Sequence, residues 1–167
     1  AKAAHQLEPG LAQEGLHSAA IFYDCRVHSA RLLLETLFDA ANWGAAIANY
    51  VTAAEWRRDG DGFQVQASDS LTGEQFTIRA KRLVDARGPW DTSGNVRLVR
   101  GSHIIVPRVN ESNNAIAYFG PDGRIIFVIP WGHDLSLSLV GTTDIDHKGT
   151  PGDVRISLAE VRHLRDP

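Results

Sequence analysis

Apolar residues near the start of the chain recur in two patterns. After a polar loop, residues 19–23 form a short apolar run that predicts a β-strand. From Ser29 onwards, apolar side chains recur at intervals of three and four residues, which is typical of an amphipathic helix. Ser29 is a suitable N-cap for this helix, and Gly44 is suited to end it. A strand followed by one helix is therefore expected here.

Strand patterns replace the helical one after Gly44. Three segments are predicted as strands, 45–57, 63–67 and 75–79, and the last two alternate between apolar and polar side chains. The two connections between them are rich in Gly and Asp, which favours tight turns. The pattern predicts a meander of three antiparallel strands. A further apolar run at 82–86 predicts a short strand that leads into Arg87-Gly88-Pro89-Trp90.

A polar, glycine-bearing segment at 91–96 predicts a loop and a domain boundary. Four further strands are predicted beyond it: 103–106, 115–119, 124–129 and 135–140. Pro121-Asp122-Gly123 is a favourable tight turn between two of them. Near the end of the chain, Ser157 and Glu160 have the spacing of a capping box, which predicts a last short helix.

Composition excludes several classes of protein. The 167 residues are 43% hydrophobic with a formal net charge of -3, which disfavours disorder and a nucleic-acid-binding role. No apolar run approaches the about 20 residues of a membrane span. The single cysteine, Cys25, excludes an internal disulfide, and we expect it to be buried and inert. The chain contains no methionine, which indicates a piece of a longer protein.

Motifs with a self-contained chemistry are absent from the sequence. There is no G-x-G-x-x-G and no P-loop, and the seven histidines lack metal-site spacing, so no metal is expected. Three blocks remain as candidates, at 84–90, 100–107 and 141–144. The residues alone favour a strand-to-turn transition at the first block and a structural histidine at the second. The threonine hydroxyls of the third could either bind a small polar ligand or satisfy backbone ends. These blocks alone leave the function open.

The order of several blocks resembles the FAD-dependent glycerol-3-phosphate dehydrogenases. The matching blocks are FYDCRV at 22–27, ARL at 30–32, GPW at 88–90, VRGSHIIVP at 99–107, FVIPW at 127–131, GTTD at 141–144 and VRI at 154–156. The resemblance extends from about Pro9 to Leu164. Several blocks in one order are far more specific than any single short motif.

This resemblance implies an α/β (α+β) fold of the glucose-methanol/amino-acid-oxidase-like flavoprotein type. Residues 1–90 would form part of a Rossmann-like FAD-binding domain, and residues 91–167 part of a β-rich substrate domain. The implied enzyme oxidises sn-glycerol 3-phosphate to dihydroxyacetone phosphate, passing a hydride to FAD and electrons on to quinone. It would be cytoplasmic, at the inner face of the membrane. The chain would be an internal fragment, inactive alone, without the dinucleotide fingerprint and the phosphate-binding residues.

The resemblance also implies roles for particular residues. His103 would act as base or hydrogen-bond partner at the substrate C2 hydroxyl, and Thr142 and Thr143 would line the substrate wall. The implied FAD contacts are Val51, Ala86, Arg87 and Gly88. The chain departs from the family pattern in two places, because Asp85 replaces the usual asparagine and Arg87 a small residue.

Two alternative functions stay open. One keeps the fold and changes the substrate, giving an FAD-dependent amine or amino-acid oxidase. The other is a binding module without catalysis, which Asp85, Arg87 and the missing fingerprint favour.

Overall fold

The computed structural model describes residues 2–12, 14–91, 94–120 and 122–165. The chain divides into two compact units, one of residues 22–86 and one of residues 1–21 together with 87–167. Both units contain antiparallel β-sheet and few helices, so the predicted α/β (α+β) class is confirmed. The assignment of cofactor binding to 1–90 and substrate binding to 91–167 stays a prediction.

Residues 22–86 contain the longest helix among the described residues, α2 (Ser29–Asn42), which α1 (Lys2–Leu7) of the other unit precedes in the chain. Its N-cap is His28, and no side-chain hydrogen bond caps it. The prediction that Ser29 caps the helix is wrong, because Ser29 is already its first helical residue. Gly44 ends the helix as predicted: its φ is +89°, and its N–H donates to the Ala41 carbonyl at 2.9 Å.

The predicted meander is present in the same unit. Its strands are β1 (Val51–Asp59), β2 (Gly62–Asp69) and β3 (Gln75–Ala80), antiparallel in that order. The first strand is shorter than expected, because it begins at Val51. On the central strand, Val65 and Ala67 are buried, and Val65 pairs with Trp56 on one side and Ile78 on the other.

Two predicted strands, at 19–23 and 82–86, are wrong. Neither segment has a ladder partner among the described residues. An apolar run supplies side chains for burial, but a strand also needs a neighbouring backbone for its hydrogen bonds. Tyr23 and Val84 are 99% and 83% exposed. Cys25 in this region is exposed as well, so its predicted burial is also wrong.

The other unit contains a four-stranded antiparallel sheet in the order β5-β8-β7-β6. Its strands are β5 (His103–Pro107), β6 (Ile116–Phe119), β7 (Ile125–Trp131) and β8 (Leu137–Gly141). All four predicted strands are thereby confirmed. Two short strands, β4 (Val99–Arg100) and β9 (Ile145–Asp146), pair with each other; in the chain, β4 precedes β5 and β9 follows β8. The buried core consists of Ile126, Val128, Val140 and Leu164.

Leu164 belongs to α3 (Leu158–Arg165), whose predicted capping box is present. The Ser157 N–H donates to Glu160 Oε2 at 2.9 Å, and the Glu160 N–H donates to Ser157 Oγ at 3.2 Å. A short helix that the pattern did not predict, α1 (Lys2–Leu7), lies near the start of the chain. Across the described ranges, no helix has both the length and the apolar character that a membrane crossing requires.

Three of the connections in this unit contain a tight turn. Gly88–Trp90 and Pro151–Asp153 form single 3-10 turns. Of the predicted turn at 121–123, Pro121 lies outside the described residues. Gly123 has a φ of +79°, and its N–H donates to the Gly120 carbonyl at 2.9 Å, as a turn here requires.

Candidate functional site

Two of the sequence blocks meet at one end of the four-stranded sheet. Strands β5 and β8 are antiparallel neighbours, and their register pairs His103 with Gly141. The start of β5 therefore lies beside the end of β8. This brings the block at 100–103 against the block at 141–144. The Gly141–Thr142 peptide bond, at the end of β8, is cis.

Ser102 and Thr143 join these blocks by two hydrogen bonds. The Ser102 N–H donates to Thr143 Oγ1 at 2.9 Å, and the Thr143 N–H donates to the Ser102 carbonyl at 3.2 Å. Both residues are buried. Since buried polar groups need partners, these bonds hold the two segments in one register where the ladder itself has ended.

The carboxylate of Glu160 lies behind this pair and is 2% exposed. Its Oε1 accepts hydrogen bonds from Ser102 Oγ at 2.9 Å and from Thr143 Oγ1 at 3.0 Å. Its Oε2 accepts from Arg100 Nη2 at 2.8 Å, in addition to the Ser157 N–H. We call Glu160, Arg100, Ser102, Thr143 and Ser157 the Glu160 cluster.

These contacts keep the carboxylate ionised. Burial alone raises the pKa of Glu160, but the hydrogen bonds from Ser157, Ser102 and Thr143 outweigh it and lower the pKa to about 2. Arg100, which is itself mostly buried, supplies the balancing positive charge. The Glu160 cluster is therefore a buried ion pair whose anion also orders two loop ends.

Two glycines allow the blocks to pack this closely. A Cβ on Gly101 would lie 2.5 Å from Thr142 Oγ1, and a Cβ on Gly141 would lie 2.4 Å from His103 Cδ2. The His103 ring therefore rests directly on the Gly141 backbone. Larger residues at either position would separate the two blocks or displace the ring.

His103 and Thr142, two of the predicted site residues, lie together at this edge. His103 is exposed, so its ring is accessible to a ligand. Thr142 is half-buried, and its hydroxyl donates to the Thr143 carbonyl at 3.0 Å. Thr143, the third, is 2% exposed and its hydroxyl is engaged in the Glu160 cluster. An exposed imidazole is able to exchange a proton with an alcohol substrate.

A small cleft adjoins the cluster through Arg100 and Gly101. Its volume is about 260 Å³, and the other lining residues are Pro89, Trp90, Leu98, Val99, His147, Pro151 and Val154. This is less than the usual volume of a pocket for a drug-sized ligand, about 300–1,000 Å³. In the described part of the chain, no three His, Cys, Asp or Glu side chains are grouped so that they could hold a metal ion.

Comparison with known proteins decides the family. The model of the FAD dependent oxidoreductase family matches residues 1–167. The chain belongs to this family. As a member of an FAD-dependent family, it has FAD as its cofactor, which confirms the predicted cofactor.

Curated relatives of this FAD dependent oxidoreductase include enzymes named for phosphorylated polyols. The aerobic glycerol-3-phosphate dehydrogenase of Escherichia coli (strain K12) is 35% identical over 154 residues, 86% of this chain and 30% of that protein. The D-erythritol 1-phosphate dehydrogenase of Brucella abortus is 38% identical with the same coverage. An alpha-glycerophosphate oxidase of Streptococcus pyogenes is 31% identical over 173 residues, 94% of this chain and 28% of that protein. The chain thus spans under a third of the length of these relatives.

The predicted FAD contacts fall in both units of this FAD dependent oxidoreductase. Val51 begins β1, and Ala86 is the last residue of the unit 22–86. Arg87 and Gly88 belong to the other unit, where the Arg87 guanidinium pairs with Asp91 at 3.2 Å.

Gly88 gives the observation that tests the fit to FAD. Its φ is +56°, and a Cβ built on it would meet no atom within 4 Å. Bare backbone with open space beside it suits the close approach of a flat ring. The sequence has no glycine-rich phosphate loop, so Gly88 fits a backbone contact to FAD and not a cradle for its pyrophosphate.

The sequence pattern did not reveal the Glu160 cluster. The Ser157–Glu160 capping box was recognised, but a capping carboxylate normally faces its own helix end. Nothing in the spacing indicates that Oε1 also binds two hydroxyls about 17 and 58 residues away along the chain. The signal that could have found it is the polar sequence Arg100-Gly101-Ser102 next to strands that must bury their ends.

Proposed function

We propose that the protein carrying this chain oxidises sn-glycerol 3-phosphate to dihydroxyacetone phosphate. The observation that carries the proposal is the exposed ring of His103, at the start of β5, which rests on the backbone of Gly141, the residue before Thr142. The relatives support the choice of substrate, since the names of all three contain a phosphorylated polyol. A phosphorylated secondary alcohol is the chemistry they share.

The proposed reaction removes a hydride from C2 and a proton from the C2 hydroxyl. FAD, when bound, supplies the hydride acceptor. His103 takes the hydroxyl proton and so acts as general base. Thr142 orients the substrate oxygen through its hydroxyl. Thr143, whose hydroxyl is engaged by Ser102 and Glu160, contributes to the same wall by holding Thr142 in place.

The proposed cofactor contacts are made by backbone. Val51, Ala86 and Gly88 would lie along FAD with their main-chain atoms, and Arg87 would contribute its backbone while its side chain pairs with Asp91. Under this proposal, residues 1–90 serve mainly the cofactor and residues 91–167 mainly the substrate. The chain would then be a part of the complete enzyme, inactive without the remainder.

The proposed electron acceptor is quinone. The enzyme would act from the cytoplasm at the inner face of the membrane, where quinone is accessible. One of these relatives is named a dehydrogenase and another an oxidase, so the electron acceptor needs its own test. Reduction of a soluble quinone without oxygen uptake is the expected result. Stoichiometric hydrogen peroxide production would contradict the quinone acceptor and favour an oxidase.

The full-length holoprotein tests the substrate and the base together. We expect it to be yellow and to reduce a redox dye when glycerol 3-phosphate is added. His103→Asn should lower kcat by about 100-fold or more with FAD still bound, because it removes the general base. His133→Asn is the matched control, since His133 is exposed in a loop outside the site, and its kcat should be unchanged.

Other substrates decide between the alternatives. D-erythritol 1-phosphate is the second candidate, because the relative named for it is 38% identical. A higher kcat/KM for this substrate would replace glycerol 3-phosphate in the proposal. Turnover of small amino acids or amines alone would favour the amine or amino-acid oxidase. A holoprotein that reduces no dye with any of these compounds would favour a binding module.

A further inference from the structure

Glu160 connects the two segments that carry His103 and Thr142. Ser102 immediately precedes His103, and Thr143 immediately follows Thr142. Both hydroxyls donate to the same oxygen, Oε1 of Glu160, at 2.9 Å and 3.0 Å. One carboxylate oxygen on α3 therefore fixes the residue before His103 and the residue after Thr142.

The second oxygen anchors the carboxylate itself. Oε2 accepts from Arg100 Nη2 at 2.8 Å and from the Ser157 N–H at 2.9 Å. Glu160 is almost wholly excluded from solvent, so water is not free to replace these donors. Because every one of the four contacts is a donor, the position requires an acceptor on both oxygens.

We propose that Glu160 is a positioning residue, which holds the start of β5 and the segment after β8 so that the His103 ring stays in place on the Gly141 backbone. The inference rests on the proposed function for one point only, namely that His103 and Thr142 face the substrate. Glu160 acts through Ser102 and Thr143 and does not itself reach the substrate. The two glycines at 101 and 141 leave no side chain of their own to keep the blocks in register.

Glu160→Gln in the full-length holoenzyme is the main test. The amide places an N–H₂ where one oxygen was, so donors face donors at two of the four contacts. We expect kcat to fall about 10- to 100-fold, since small displacements of a catalytic group have effects of this size. KM for glycerol 3-phosphate and the FAD content should change less than threefold. Glu160→Asp, which keeps the charge on a shorter side chain, should recover part of kcat.

A double-mutant comparison separates positioning from a general structural role. If Glu160 acts through His103, the variant with both His103→Asn and Glu160→Gln should have the kcat of His103→Asn alone. Multiplied losses in the double variant would overturn the inference. Arg162→Gln is the control on the same helix, because Arg162 is exposed and lies outside the Glu160 cluster.

Amide hydrogen exchange gives a readout that does not depend on turnover. In Glu160→Gln, peptides containing the Ser102 and Thr143 amides should exchange at least about tenfold faster, while Arg162→Gln should exchange like wild type. Unchanged exchange at these amides would overturn the inference. A wild-type holoprotein that oxidises no polyol phosphate would contradict the proposed function. Amide exchange would then be the only measurement that tests whether Glu160 holds the two segments. If Glu160→Gln fails to fold, kcat and amide hydrogen exchange are measured on Glu160→Asp instead.

Discussion

Ser102 and Thr143 lie 41 residues apart in sequence and exchange two hydrogen bonds between their backbone and side-chain atoms. The first bond joins an N–H to a hydroxyl, and the second joins an N–H to a carbonyl. Both hydroxyls then donate to Glu160. The end of the β5–β8 ladder is thus continued by side chains, and its geometry depends on a carboxylate from α3.

Glu160→Gln should destabilise the protein in a pH-dependent way. The pKa of Glu160 lies at about 2, below the ordinary value of 4.5. Its ionised form therefore stabilises the fold fully above pH 4.5, and this contribution is lost as the pH falls toward 2. We expect Glu160→Gln to lower the free energy of unfolding by about 2–3 kcal/mol at pH 7 and by about half as much at pH 3. Urea unfolding at the two pH values measures this.

The control for this prediction is Glu55→Gln. Glu55 is exposed on β1, so the same change of charge there should leave the free energy of unfolding within about 0.5 kcal/mol at both pH values. A loss for Glu160→Gln of equal size at pH 7 and pH 3 would contradict the contribution of its ionised form.

Arg108→Lys should destabilise the loop that follows β5. The guanidinium donates to the carbonyls of Asn110 at 2.7 Å, Ser112 at 2.5 Å and Leu135. A lysine ammonium lacks the planar fork that reaches three carbonyls in different directions. We expect the free energy of unfolding to fall by about 1–3 kcal/mol, because at least one partly buried carbonyl loses its donor. Thermal or urea unfolding of the full-length protein gives the value.

Arg97→Lys provides the matched substitution for Arg108→Lys. Arg97 pairs with Asp146 on the surface, where its side chain is 77% exposed. Surface ion pairs contribute little, so the change should stay below about 0.5 kcal/mol. Equal effects of the two substitutions would mean that the carbonyl contacts of Arg108 add nothing to stability.

Local patterns predicted the strands of both larger sheets, including β5, whose ladder partner β8 lies far along the chain, but they missed the short helix α1. The β1–β2–β3 meander and α3 were found because their turns and caps use residues that sit within a few positions of each other. The runs at 19–23 and 82–86 were misassigned, since an apolar run does not reveal whether a partner strand exists. Cys25 was misplaced for the same reason, because burial depends on what packs over a residue.

The candidate site was predictable only in part. His103, Thr142 and Thr143 were singled out by resemblance, and the register of β5 and β8 does bring their blocks together. Glu160 was known only as a capping residue. Its second set of contacts depends on how α3 packs against the sheet, through Leu164 among the core residues. That packing is a tertiary property which no local pattern contains.

Ile126 and Ile125 should respond very differently to truncation. They are neighbours on β7, and their side chains point to opposite faces of the sheet. Ile126 is therefore 0% exposed in the core, whereas Ile125 is 45% exposed. Ile126→Ala should lower the free energy of unfolding by about 2–5 kcal/mol, through lost burial and a cavity. Ile125→Ala should cost about 1 kcal/mol or less. Urea midpoints at unchanged slope measure both, and similar losses would contradict the assigned core.

Among substitutions that add one methyl group at this edge of the sheet, Gly141→Ala should impair turnover most. The new Cβ would lie 2.4 Å from His103 Cδ2 and 2.8 Å from Cγ, so the ring must move off the Gly141 backbone. We expect kcat for glycerol 3-phosphate to fall at least about tenfold, and the free energy of unfolding to fall by about 1–3 kcal/mol. Gly152→Ala is the matched control, because its Cβ would meet only Thr150 Oγ1, at 3.9 Å. Steady-state kinetics and urea unfolding of both variants make the comparison. If Gly141→Ala turned over at the wild-type rate, His103 would not be the base, since its ring cannot keep its place beside an alanine.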